Sequence, residues 1–159
     1  MKKKILFTLL AIFVIIQFIR PTRNVSSTVS PNDITKVYAV PADVQQVLKV
    51  SCNDCHSNNT EYPWYTNIQP IGWWMQAHVN GGKYHLDFSS FATYDAKRQH
   101  HKMEEVIEQV KGNHMPLNSY LWIHKEARLS EAQRTLLINW AEQLRQQIAA
   151  DKDIAEESK

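Results

Sequence analysis

Cys52-Asn53-Asp54-Cys55-His56 holds every cysteine of this 159-residue chain and closes on a histidine. Two thiols three positions apart can each add across a haem vinyl group, and the adjacent imidazole can then reach the iron. Cys-x-x-Cys-His is therefore the attachment signal for c-type haem. On a helical turn, positions 52, 55 and 56 stand at i, i+3 and i+4 and share one face. The stretch thus predicts a helical setting around one covalently attached haem, with His56 as its lower metal ligand.

Three other chemistries use such cysteines. A Cys52–Cys55 disulfide would close too short a loop to remove much unfolded-state entropy. A redox Cys-x-x-Cys opens a helix in a βαβ pattern, which the sequence lacks. Zinc needs four ligands, and beyond His56 no second cysteine pair or close histidine pair completes the set. Haem is the reading that uses all three residues.

Upstream, Met1-Lys2-Lys3-Lys4 leads an apolar run from Ile5 to Ile19, broken by Thr8 and Gln17. A basic head and an apolar core mark an export signal. At helical rise the run covers about 22 Å, short of a roughly 30 Å hydrocarbon layer. No small-x-small cleavage site follows, and the lysines can snorkel to extend the span. Residues 1–20 are read as a retained signal anchor in a bacterial inner membrane, with the remainder facing the periplasm. No cysteine ends the run, so a lipidated N-terminus is excluded.

The formal charge of +2 conceals an asymmetry. Residues 1–36 carry a balance of +5 and the rest −3. The exported part is mildly acidic, without a basic stripe for nucleic acid.

Residues 21–37, rich in Ser, Thr, Asn and Pro, are read as a linker. A domain over 38–148 follows, then a polar tail, 149–159. Val44, Val47, Leu48 and Cys52 at i, i+3, i+4, i+8 predict a helix burying the face that carries the thiols, opened at Pro41 or Ala42. Pro70 to Asn80 predicts a second helix, ended by Gly81-Gly82. Tyr84 to Tyr94 reads as loop. Asp95 caps a third helix with Met103, Val106, Ile107 and Val110 on its face, closed by Gly112. Ser130-Glu131-Ala132-Gln133 is a capping-box signature before the stripe Leu137, Trp140, Ala141, Leu144 and Ile148. No segment alternates long enough for a strand, and the class is all-α.

Met115 is the candidate upper ligand of the iron. It precedes Pro116, which disfavours helical geometry at Met115 and stiffens the loop that presents the thioether. His114 would instead give bis-histidine ligation. His78, His85 and His124 are read as surface or hydrogen-bonding residues, His100 and His101 as solvated, and Met103 as core. Met75 keeps a chance as a ligand because its helix can wall the haem. Trp64, Tyr65, Trp73, Trp74, Tyr120 and Trp122 are the expected haem neighbours, since aromatic walls bury a flat apolar plate.

Cys52–His56, Ser57-Asn58-Asn59-Thr60, Tyr62-Pro63-Trp64-Tyr65, His78-Val79-Asn80-Gly81-Gly82, Met115-Pro116-Leu117 with Tyr120, Leu129-Ser130 and Trp140-Ala141 together resemble the bacterial haem-binding domain family of small c-type cytochrome-like proteins. The match runs from about Val44 to Leu144. The resemblance implies covalent haem c on Cys52 and Cys55, His56 as proximal ligand, and a cytochrome-c-like helical fold. Such domains also occur beside di-haem peroxidase modules, which implies electron supply to a partner. The expected function is a membrane-tethered mono-haem electron carrier rather than an enzyme, with a peroxidase or respiratory component as redox partner. A haem sensor or small peroxidase with a labile sixth ligand is the alternative, with His78 or His114 as distal acid/base.

Overall fold

The computed structural model describes residues 1–151. Eight α-helices follow one another: α1 (Lys2–Ile16), α2 (Ile34–Val37), α3 (Ala42–Ser51), α4 (Asn53–His56), α5 (Ile71–His85), α6 (Ala96–Lys111), α7 (Asn118–Leu121) and α8 (Glu131–Asp151). Short 3-10 turns lie at Trp64–Asn67, Phe88–Thr93 and Lys125–Ala127. No strand occurs among the described residues, and one isolated bridge joins Val25 to Asn59. The protein is all-helical, as its periodicity predicts.

The core is built where three amphipathic faces meet. α3 contributes Val44, Val47 and Leu48, α6 contributes Met103 and Val110, and α8 contributes Leu137, Trp140, Ala141, Leu144 and Ile148. The α6–α8 pairing is the most extensive helix contact. Both helices start where their side chains satisfy otherwise unpaired amides. The Asp95 carboxylate accepts from the Arg98 amide at 2.8 Å. Ser130 and Gln133 exchange reciprocal bonds, amide to Oε1 at 2.9 Å and amide to Oγ at 3.2 Å. α8 continues to Asp151, so residues 149–151 of the expected tail are helical, and the rest of that tail lies outside the described residues.

Three expectations are corrected. First, α5 does not stop at Gly81-Gly82 but runs on to His85. Gly82 is where α5 meets the haem motif: a Cβ there would stand 2.5 Å from the Cys55 carbonyl oxygen and 2.9 Å from the Cys55 Cβ. The glycine serves close approach rather than termination. Second, the expected loop 84–94 is partly wound. Phe88 and Phe91 point into the core from the 3-10 turns, and the Asp87 carboxylate caps them by accepting from the Ser89 amide at 2.9 Å.

Third, residues 21–37 lie against the domain as a strap instead of hanging free. Ile34 is 2% exposed and belongs to the core. Asn24 donates to the Ser57 carbonyl at 2.7 Å and to Thr60 Oγ1 at 2.9 Å, and accepts from Lys83 Nζ at 2.8 Å. Just before the strap, Gln17 pairs with both backbone groups of Gln69, and Trp73 Nε1 donates to the Ile19 carbonyl. The strap is polar because it binds through hydrogen bonds, which composition alone does not distinguish from solvation.

α1 buries none of its 15 residues. Among the described residues, no helix is long and apolar enough to cross a membrane.

Candidate haem site

Cys52 ends α3 and also caps α4, so the motif sits at a corner between two helices. The Cys52 carbonyl accepts from the amides of both Cys55 and His56, at 3.1 and 3.0 Å. These bonds close the turn and bring the two thiols and the imidazole together. Cys52 also packs against the core beside the buried face of α3.

Both thiols are free and half-buried. Burial pushes Cys52 up to about 12, with the neighbouring Cys55 adding to the rise. Burial likewise pushes Cys55 up to about 11, with the Asp54 charge in support. A dithiol poised for exchange has its pKa lowered instead, the opposite of what burial does here. Among the described residues no three or more His, Cys, Asp or Glu side chains are grouped to hold a metal ion.

His56 Nδ1 stands 2.9 Å from the Leu86 carbonyl oxygen. A carbonyl only accepts, so Nδ1 carries the proton and Nε2 keeps its lone pair. Burial pushes the His56 pKa down, outweighing the upward pull of the Leu86 and Gly82 carbonyls, and favours the neutral ring. A ring held by its far N–H and kept neutral is the state in which imidazole ligates iron. Phe88 meets it edge-on at 6.3 Å between centroids. The donor set therefore fits a haem held by two thiols and one imidazole.

Met115 lies half-buried in the turn between α6 and α7. Its amide and that of His114 both donate to the Gln109 carbonyl, at 3.2 and 2.9 Å. Gly112 ends α6, and a Cβ there would meet the His114 ring at 2.8 Å. Five residues beyond Met115, Tyr120 donates its hydroxyl to Asp54 Oδ2 at 2.6 Å. Burial first, then this hydrogen bond to Asp54, pushes the Tyr120 pKa upward. Asp54 lies between the two cysteines, so this bond ties the segment after Met115 to the haem motif. The Tyr120 ring stacks on His124 at 4.2 Å, and Tyr65 Oη reaches His124 Nε2 at 3.0 Å. Asp54, Tyr120, His124 and Tyr65 thus form one polar cluster joining three segments.

Reading the sequence alone misses three members of this arrangement. Leu86 acts through its backbone and has no side-chain signal. Asp54 fills a variable position of the motif, and its partner lies 66 residues away. Gly82 carries a signal, but within a glycine pair it reads equally as a helix stop.

The expected aromatic neighbours separate. Tyr65 and Tyr120 join the cluster, Trp73 turns to the Ile19 carbonyl, and Trp74 packs on His78 at 4.3 Å. Trp64 and Trp122 are each 75% exposed. His78 Nδ1 bonds the Trp74 carbonyl, while His101 faces Glu104 and Glu105. Met103 is fully buried in the core, and Met75 is 5% exposed on α5.

A family model described as the haem-binding domain matches residues 11–143, most of the chain. The chain belongs to the haem-binding domain family. No curated protein and no solved structure matches it. Haem binding is therefore a property of this protein, and the matched span includes the strap as well as the helical domain.

Proposed function

We propose that this haem-binding domain carries its haem covalently as haem c, on Cys52 and Cys55, and that His56 and Met115 would hold its iron. It works as a mono-haem electron carrier of the cytochrome c type. The observation that carries this reading is the set of two half-buried thiols on the same turn as a His56 ring whose Nδ1–H is held by Leu86.

Each residue then has a task. Cys52 and Cys55 would hold the haem through thioether links to its vinyl groups. Leu86 fixes the His56 tautomer, so the ligating nitrogen stays available in either oxidation state. Met115 offers a soft thioether from a turn pinned to Gln109, and a methionine sixth ligand raises reduction potential. When bound, haem supplies a one-electron couple, and the protein tunes it through ligands and burial. A carrier also needs little rearrangement between states. The Tyr120–Asp54 bond supplies that rigidity by tying the ligand turn to the motif.

The N-terminal apolar run is proposed as the export signal and membrane tether, placing the domain on the periplasmic side of a bacterial inner membrane. Support comes from its basic head and from an apolar helix α1 with no buried residue. Since α1 alone is too short to cross, the tether draws on Phe18 and Ile19, which extend the run and are 83% and 59% exposed. The redox partner is expected to be a peroxidase or respiratory component.

Redox titration with CO challenge tests the carrier role. A reversible couple at positive potential, with slow CO binding, agrees with a six-coordinate carrier. Rapid CO binding would replace it with the sensor or peroxidase reading.

A further inference from the structure

A cavity of about 320 Å³ opens between the strap and the start of α5, lined by Arg20, Arg23, Tyr62, Thr66, Asn67 and Gln76 among others. No Asp or Glu lines it. Neither arginine has a carboxylate within ion-pair distance among the described residues. Arg20 makes only a 3.4 Å contact to the Gln17 carbonyl. Arg23 donates to Asn67 Oδ1 at 2.6 Å and lies over the Tyr62 ring at 4.9 Å, which orients its guanidinium. Both arginines are exposed, so the mouth of the cavity presents two cations with no counter-ion from the described residues.

The cavity is separate from the haem motif. Gly72 lines it, whereas Gly82 is the α5 residue packed on Cys55. Ten residues of helix separate them, roughly 15 Å.

We propose that this cavity is a binding site for a phosphate-bearing anion. Planar guanidinium forks match tetrahedral oxyanions by paired hydrogen bonds, and two forks suit a group presenting three or more oxygens. Asn67 and Gln76 each have a second side-chain amide hydrogen beyond the one given to the Trp64 carbonyl and to Asn80. The volume lies at the small end of ligand pockets and accommodates a phosphate with a glycerol-sized substituent. The arginines directly follow the apolar run, the position where basic side chains meet lipid phosphates. The same chemistry fits a phospholipid headgroup or free inorganic phosphate. The site does not depend on how haem is held.

The test uses full-chain, haem-loaded protein in a maltoside detergent at constant ionic strength. Tm is measured with added inorganic phosphate in one arm and dihexanoyl phosphatidylglycerol in the other. Specific binding raises Tm by about 5 °C or more at a hundredfold excess over Kd. Arg20→Gln, which disturbs one weak contact, should weaken binding at least tenfold. Arg98→Gln, remote from the cavity over Tyr94, should leave it unchanged. A response to phosphate alone assigns the free anion, and a response to the lipid alone or far more tightly assigns a headgroup. No shift in either arm, or an undiminished shift in both Arg20→Gln and Arg23→Gln, overturns the site.

Discussion

The Leu86 carbonyl decides which nitrogen of His56 keeps its proton, and it does so through backbone that no motif encodes. Met115, just before Pro116, is the proposed sixth ligand. Replacing it with Ala should abolish the weak far-red absorption of a methionine–iron bond in the oxidised protein while leaving the reduced α-band. A far-red band that survives Met115→Ala would assign the sixth ligand elsewhere. The adjacent glycines of α5 make a second residue-scale test. At Gly81 nothing lies within 4 Å of an added Cβ, so Gly81→Ala should stabilise by up to about 1 kcal/mol through helix propensity. At Gly82 the same methyl runs into Cys55 backbone, and overpacking of about 1–3 kcal/mol outweighs that gain. Urea denaturation of the two variants should show opposite signs.

At the scale of elements, α3, α6 and α8 were legible because each has an apolar stripe, opened by Pro41 in α3 and by a side-chain cap in α6 and α8. Asp95 and Ser130 mark their helix starts within three residues of the amides or side chains they bind. The end of α5 was not legible, since a glycine pair serves a stop or a close approach equally well and only the Cys55 contact decides. The strap was illegible for the same reason: Asn24 reaches Ser57 and Lys83, partners that no periodicity connects. Of the site, the thiols and His56 were readable from spacing, while the Asp54–Tyr120 bond was not. That bond should fix the turn carrying Met115 relative to the motif. Tyr120→Phe strands a partly buried carboxylate oxygen and should cost about 1–2 kcal/mol by urea denaturation. It should also lower the far-red amplitude and speed CO binding. Unchanged CO kinetics would confine Tyr120 to stability alone.

For the whole molecule, one core formed by α3, α6 and α8 supports a corner on which the haem motif is mounted. Leu144 is 4% exposed in that core, and Leu144→Ala should cost about 2–5 kcal/mol in urea denaturation, with the reduced α-band retained in the folded fraction. The N-terminal run belongs to this scale too. Full-chain protein should remain with the membrane pellet after alkaline carbonate washing, and release into the supernatant would remove the tether. The most direct test of the central claim is denaturing mass spectrometry of the full chain matured with the c-type haem machinery. Covalent attachment gives a polypeptide heavier by one haem that survives unfolding, and Cys52→Ala/Cys55→Ala loses that adduct. A bare polypeptide mass, with haem released on denaturation, would contradict it.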